Sequence, residues 1–220
     1  MTLKYETFKM MFEKNANLAD RVAMKKYMRN QFEFYGIKTP KRREIYREFL
    51  KEERKLKQID WEFLDECYAD EHREFQYLVC NYLERMQNFI EPKDIVHIQK
   101  FIQTKSWWDT VDSFNKVIGK LTLRNEEIKQ LMRKWAVDED FWLRRIAIIH
   151  QITFKEQTDP ELLQEVILAN LGSDEFFINK AIGWALRDYS KTNPQWVRNF
   201  ISKNQSKLSK LSVREGSKYI

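Results

Sequence analysis

Hydrophobic positions recur along most of this chain with the period of an α-helix, and the alternation typical of strands is nearly absent. The pattern predicts helices over roughly 2–14, 17–30, 39–54, 60–69, 72–89, 92–104, 106–121, 124–137, 140–154, 159–171, 174–189 and 193–204, with a last one from about 207. Several of these segments start with a helix-capping residue or a proline. The connections are short, so successive helices should be antiparallel neighbours in an all-α fold.

The helices also repeat. The second helix of successive pairs begins near residues 72, 106, 140 and 174, a spacing of 34 residues. A period of this length with two helices per repeat indicates an α-solenoid that has a curved inner face. No linker or change of composition divides the chain, so residues 1–220 are expected to form a single domain whose first three helices cap the solenoid.

The helix predicted over 106–121 has two distinct stripes of side chains. Ser106 is the expected N-cap. One stripe has the spacing of a buried face and contains Trp107, Val111, Phe114 and Ile118. Trp108 and Asp112 fall on a second stripe, about 100° around the helix. An indole beside a carboxylate off the core face indicates a functional site, although Trp108 covering a neighbouring helix beside a solvated Asp112 is the simpler interpretation.

The next two inner helices present related chemistry. Arg145 falls among apolar residues on helix 140–154, and Lys180, Trp184 and Arg187 lie along one flank of helix 174–189. Each has an ordinary explanation, since an arginine stem can cover apolar surface and a tryptophan can pack between helices. Together, at equivalent places in neighbouring repeats, they point to a shared site.

Charge is unevenly distributed along the 220 residues, whose net charge is +6. Residues 1–60 contain 16 Lys/Arg against 9 Asp/Glu, residues 61–189 contain 16 against 23, and residues 190–220 contain 7 against 1. Basic ends around an acidic middle are either two solvated segments or two clamps on a polyanion.

Other classes of chemistry have little support. His72, His97 and His150 stand apart from one another, and Cys67 and Cys80 lie in apolar helical patterns typical of reduced, buried thiols. No glycine-rich phosphate loop and no membrane-length apolar run is present. We expect a monomeric, cytoplasmic protein, which would lie with the nucleoid if it acts on DNA. We expect it to need no metal or cofactor and not to bind a membrane.

Four motifs in series resemble the AlkD-like family of bacterial DNA alkylation repair glycosylases. They are GIKTPKRR at 36–43, SWWDTVD at 106–112, WLRRIAI at 142–148 and AIGWALRDYSK at 181–191. The resemblance covers essentially the whole chain. It implies a solenoid of HEAT-like repeats that holds duplex DNA in a concave basic groove. It also implies hydrolysis of the N-glycosidic bond of purines alkylated at N3 or N7, such as 3-methyladenine and 7-methylguanine, for base excision repair.

The resemblance assigns catalysis to three residues. Asp112 matches the family's catalytic carboxylate, and Trp108 and Trp184 match the aromatic pair that packs against the lesion-bearing deoxyribose and backbone. A carboxylate suits this reaction, because the transition state of glycosidic cleavage carries positive charge on the sugar. An alkylated purine is already cationic and needs no strong general acid to leave.

Five further residues are the expected DNA contacts. Arg145 matches an arginine that grips DNA near the lesion, and Tyr27 and Lys38 lie where contacts to the opposite strand or the lesion pair occur. Lys180 and Arg187 share the flank of Trp184 and complete the set.

Two alternatives stay open at this point. The chain could be a noncatalytic helical-repeat scaffold that binds DNA or a protein partner in its groove, which is the usual role of such solenoids. It could also be a family member that binds DNA but has lost or changed its activity. Lys38 and Thr153 depart from the family pattern, which leaves the lesion-side contacts at these positions open.

Overall fold

The computed structural model describes residues 1–220 and is all-helical. Its α-helices are α1 (Leu3–Lys14), α2 (Leu18–Tyr27), α3 (Thr39–Leu56), α4 (Trp61–Ala69), α5 (Arg73–Met86), α6 (Ile95–Gln103), α7 (Trp108–Thr122), α8 (Glu126–Trp135), α9 (Phe141–Ile149), α10 (Pro160–Leu168), α11 (Phe176–Tyr189), α12 (Pro194–Asn204) and α13 (Lys210–Gly216). The predicted all-α, helical-repeat class is confirmed. No helix combines the length and the apolar character needed to cross a membrane.

The repeat positions predicted from the spacing are also confirmed. The second helices of the pairs begin at Arg73, Trp108, Phe141 and Phe176, each within two residues of the predicted start. Side-chain caps explain two of these starts, because the Asp140 and Glu175 carboxylates accept hydrogen bonds from backbone N–H groups in the first turns of α9 and α11.

The prediction that Ser106 caps α7 is wrong. Trp107, in extended conformation, occupies the N-cap position and makes no side-chain capping bond. Ser106 instead donates its hydroxyl proton to the carbonyl of Ile102, over 2.6 Å. The serine therefore satisfies a carbonyl at the end of α6, a need that competes with capping of the next helix.

The helix predicted over 140–154 ends earlier, at Ile149. Thr153 has a φ of +78°, which a β-branched residue rarely adopts. Hydrogen bonds from other segments hold this turn: the Thr153 N–H donates to Asp188 over 2.6 Å, and the Gln151 side chain exchanges two bonds with the Asp159 backbone. These bonds offset the conformational cost and end a helix that has no glycine or proline to stop it.

The first compact unit, Met1–Ile90, contains the loop that leads into α3. The buried Glu74 carboxylate accepts hydrogen bonds from the backbone N–H groups of Tyr35, Gly36 and Ile37, at 3.1, 2.9 and 3.0 Å. Gly36 has a φ of +89°, and a Cβ there would lie 2.1 Å from the carbonyl oxygen of Asn17. Only glycine fits this position, which explains its place at the head of the motif 36–43.

The second compact unit, Glu91–Ile220, contains the helices from α6 to α13. Within it α9 packs against both α7 and α11, and α11 packs against α13. The second helices of successive pairs are thus direct neighbours, as stacking of two-helix repeats requires. Part of their core is a cluster of buried aliphatic residues that includes Ile148, Ile178, Ile182 and Leu186. The assignment of residues 1–220 to a single domain stays a prediction.

Candidate functional site

Asp112 lies one turn into α7, off the face that builds the core. Val111, Phe114 and Ile118 are fully buried, as their spacing predicts. The Asp112 side chain is 21% exposed, and Trp108, on the same face one turn earlier, is half-buried. The helix therefore holds the carboxylate at the edge of the core, where solvent or a ligand still reaches it.

Asp112 is paired with an arginine from the neighbouring repeat. The Nε and Nη2 atoms of Arg145, on α9, donate to Oδ1 and Oδ2 of Asp112 over 2.7 and 2.8 Å. This two-bond geometry matches the planar guanidinium to the planar carboxylate and fixes the orientation of both groups. The pairing makes the solvated-carboxylate interpretation of Asp112 wrong.

Arg145 is almost completely buried, with 1% of its side chain exposed. Its Nη1 atom donates to the carbonyl of Phe177 over 2.5 Å, and its Cζ lies 5.2 Å from the centre of the Trp184 ring. The guanidinium, carried by α9, thus has partners on both neighbouring helices, α7 and α11. It was expected to grip DNA, but in this structure it is occupied inside the protein.

Burial and the arginine act in opposite directions on Asp112. Burial raises the pKa of the Asp112 carboxyl above its ordinary value, because a charge is poorly solvated there. The hydrogen bonds and positive charge of Arg145 oppose this rise. The carboxyl is therefore a stronger base than a solvated aspartate, and its ionised form depends on Arg145.

Trp184, on α11, lies between two cations. Besides Arg145, the Nζ atom of Lys180 lies 5.7 Å from the centre of its ring. The Trp184 Nε1 atom is buried and has no hydrogen-bond partner. Cation–π attraction favours both positive groups beside the indole. Because no hydrogen bond fixes the ring, packing and these two contacts determine its orientation.

Trp107 has a packing role. Its ring meets those of Trp142 and Phe177 edge-on, with centres 6.1 and 5.3 Å apart, in the aromatic cluster beneath the site. The spacing placed Trp107 on the buried stripe, but Trp107 occupies the N-cap position and is half-buried, like Trp108. Trp107 packs in the aromatic cluster, and Trp108 shares the Asp112 face.

Lys180 and Arg187, the two cations expected to bind DNA from α11, share one carboxylate. Lys180 Nζ and Arg187 Nη1 lie 2.7 and 2.9 Å from the two carboxylate oxygens of Glu215, on α13. The hydrogen bond from Lys180 lowers the pKa of Glu215, so this carboxylate is firmly ionised. The sequence analysis missed Glu215. A signal existed, since Glu215 follows Lys180 by 35 residues, one repeat length.

The remaining predicted contacts, Tyr27 and Lys38, belong to the first unit. Tyr27 ends α2 and is 72% exposed. Lys38 occupies the N-cap position of α3, and its Nζ pairs with Asp20 at 2.7 Å. The Gly36 loop described above fixes the backbone directly before Lys38.

The structure offers no evident alternative chemistry. No group of three His, Cys, Asp or Glu side chains could hold a metal ion. Burial raises the pKa of the Cys67 thiol, which disfavours the nucleophilic thiolate. His150 is fully buried, and burial lowers its pKa to about 4. The Asp112 carboxylate, bonded by Arg145, remains, and in its ionised form such a group can stabilise a cation or accept a proton from water.

Comparison with known proteins relates the chain to one family model and to solved structures. The family model described as "DNA alkylation repair enzyme" matches residues 8–220. A solved structure described as a predicted DNA alkylation repair enzyme from Enterococcus faecalis is 33% identical, with a TM-score of 0.86 over 93% of this chain and 96% of that one. No curated protein matched the sequence.

Proposed function

This chain belongs to the DNA alkylation repair enzyme family, and on that premise we propose that it is a DNA glycosylase. The proposed reaction is hydrolysis of the N-glycosidic bond of cationic N3- or N7-alkylated purines in duplex DNA, 3-methyladenine and 7-methylguanine among them. One observation carries the proposal: the buried Arg145 bonds both oxygens of the partly exposed Asp112 carboxylate and itself lies against the Trp184 ring.

The charge of the substrate explains why a carboxylate is enough. A purine alkylated at N3 or N7 carries a positive charge and leaves as a neutral base, so no general acid is required. As the bond stretches, this charge moves to the sugar and produces an oxocarbenium-like transition state. A fixed carboxylate stabilises that state more than the ground state, which is the condition for lowering the barrier.

The ion pair with Arg145 prepares Asp112 for this role. Each carboxylate oxygen accepts one bond from the guanidinium and keeps a second lone pair for water or the sugar. The raised pKa of Asp112 makes it a better base toward the attacking water. In this proposal Arg145 is a positioning residue, because its burial keeps it from phosphates.

The two indoles and the peripheral cations complete the proposed site. Trp108 and Trp184 pack against the deoxyribose and backbone of the damaged nucleotide. Lys180 and Arg187, with side chains 25% and 29% exposed, contribute positive charge on the DNA side of α11. Tyr27 and Lys38 contact DNA from the first unit. Duplex DNA and water are the only partners the reaction needs, and we propose that the protein acts as a monomer.

The direct test is release of free base. The purified protein is incubated with a duplex carrying a single N7-methylguanine, and the products are separated by chromatography. We expect free 7-methylguanine and an abasic site, whereas the noncatalytic scaffold alternative predicts neither. A folded protein that binds the duplex and releases no base from N7-methylguanine or N3-methyladenine would refute the proposal.

A further inference from the structure

The positions equivalent to Asp112 in the following repeats all carry charge. Asp112, Arg145, Lys180 and Glu215 lie on α7, α9, α11 and α13, separated by 33, 35 and 35 residues. Their signs run negative, positive, positive, negative. The two outer carboxylates each pair with the neighbouring inner cation, at 2.7 Å in both cases. We call these four residues the charge ladder.

Trp184 lies between the two pairs of the charge ladder. Its ring centre is 5.2 Å from Arg145 Cζ on one repeat and 5.7 Å from Lys180 Nζ on its own helix. Asp112 holds the first cation and Glu215 holds the second. Because the indole Nε1 has no hydrogen-bond partner, these two cations are its polar neighbours, and whatever fixes them also orients the ring.

Glu215 spans the turn that carries Trp184. On α11, Lys180 comes one turn before Trp184 and Arg187 one turn after it, so all three share a face. The Glu215 carboxylate joins the two cations, at 2.7 and 2.9 Å, and its side chain is only 15% exposed. This bridge restrains two long side chains that would otherwise sample many rotamers beside the indole.

The position of Glu215 is fixed by the docking of α13 on α11. A Cβ on Gly183 would lie 2.6 Å from the Glu215 Cβ, so glycine is needed for this approach. One turn earlier on α13, the buried Ser212 hydroxyl donates to the carbonyl of Asn179 over 2.8 Å. The carboxylate therefore reaches Lys180 and Arg187 from a rigid base.

From these observations we infer that Glu215 is a positioning residue for excision, acting through Lys180 and Arg187 to hold the Trp184 indole. The inference rests on the proposed glycosylase function. It runs against the usual expectation for an acidic residue near DNA, since Glu215 neutralises cations that could bind phosphates. The bridge from Glu215 to Lys180 and Arg187 therefore weakens DNA binding, and it fixes the position of the indole.

The variant Glu215→Gln separates these effects because they have opposite signs. Single-turnover excision of N7-methylguanine should fall by about tenfold, because a displaced Trp184 indole would no longer hold the sugar in the reactive position. Affinity for undamaged duplex should stay the same or become about two- to fivefold tighter, because Lys180 and Arg187 are released and a negative charge is lost. Glu165→Gln is the matched control, since it breaks the more exposed Arg133–Glu165 pair in the same unit.

Three results would overturn the inference. Unchanged excision would mean that the bridge positions nothing, and faster excision would mean that Glu215 blocks the site. Loss of rate and affinity together, in proportion to a lower Tm, would reduce Glu215 to a fold-stabilising role.

A readout that does not depend on activity keeps the two proposals separate. The indole N–H resonance of Trp184, assigned with Trp184→Phe in 15N-labelled protein, should shift or broaden in Glu215→Gln and stay unchanged in Glu165→Gln. If the wild-type protein releases no base, the proposed function fails, while this resonance still decides the positioning role. If Glu215→Gln does not fold, Lys180→Gln breaks the same link from α11, and an unchanged resonance in that variant contradicts the inference.

Discussion

Arg145 and Asp112 meet through two parallel hydrogen bonds, with the guanidinium buried and the carboxylate at the edge of the core. The pair links consecutive repeats, from α9 to α7. Its asymmetry has consequences for both stability and chemistry, because one partner is sealed in the protein and the other can still be reached.

Loss of the carboxylate should destabilise the fold. Asp112→Asn leaves the buried Arg145 charge without its counter-ion, and we expect the free energy of unfolding to fall by about 3 kcal/mol. Asp112→Asn combined with Arg145→Gln should cost less than the sum of the single changes, since no uncompensated charge remains. Urea unfolding of the wild type, the two single variants and the double variant measures this coupling energy. Glu165→Gln, which breaks a more exposed pair, should cost less than about 1 kcal/mol, and additive effects at 112 and 145 would contradict the coupling.

Excision should depend on the charge of Asp112 more than DNA binding does. At a temperature where the variant is folded, we expect Asp112→Asn to slow single-turnover excision of N7-methylguanine by about two orders of magnitude or more. Duplex affinity should remain within a few-fold of wild type, because no negative charge is needed to hold phosphates. Titration of labelled duplex and a rapid-quench time course measure the two quantities. Near-normal excision by the asparagine variant would remove Asp112 from the chemistry.

The charge of the lesion should govern the rate. The site presents a carboxylate and indoles, and the buried His150 has a pKa of about 4, so it is a poor proton donor to a purine at neutral pH. A neutral base such as hypoxanthine must leave as an anion unless it is protonated. We expect N7-methylguanine and N3-methyladenine to be excised at least about 100-fold faster than hypoxanthine or ethenoadenine in matched duplexes. Comparable single-turnover rates would reveal a general acid that this mechanism lacks.

Acid should destabilise the protein partly through His150. Burial lowers its pKa from 6.5 to about 4, so the unfolded chain binds the proton more readily between these values. Stability is therefore lost as pH falls from 6.5 toward 4, by up to about 1.4 kcal/mol per pH unit. Urea unfolding of wild type and His150→Gln across this range isolates the contribution. Because carboxylates also titrate there, the test is the difference between the proteins: equal pH dependence in both would contradict the prediction.

The sequence predicted the repeat and most of its helix starts because these depend on local signals. Spacing alone separated Asp112 and Trp108 from the buried stripe of α7. It did not predict that Arg145 pairs with Asp112, since the two are 33 residues apart and meet only when the repeats stack. The end of α9 was not predicted for a similar reason: the Thr153 N–H donates to the Asp188 carboxylate, 35 residues further along the chain, and this contact forms only when α11 packs beside the turn.

Other errors came from competition between local needs. Ser106 was expected to cap α7, but its hydroxyl serves the carbonyl of Ile102 instead. Glu215 was overlooked because a lone acid in a basic C-terminal segment looks like ordinary surface charge. Only its place one repeat after Lys180 marks it as different.

The sign order of the charge ladder also limits how the array can change length. Duplicating only the repeat that contains Arg145 or Lys180 would put a third positive side chain beside the other two. The positive side chains of the adjacent repeats would then repel one another. Duplicating the repeats of Asp112 and Arg145 together would keep each acid beside a cation. Insertion of that pair would add no new contact between like charges, whereas insertion of either single repeat would add one.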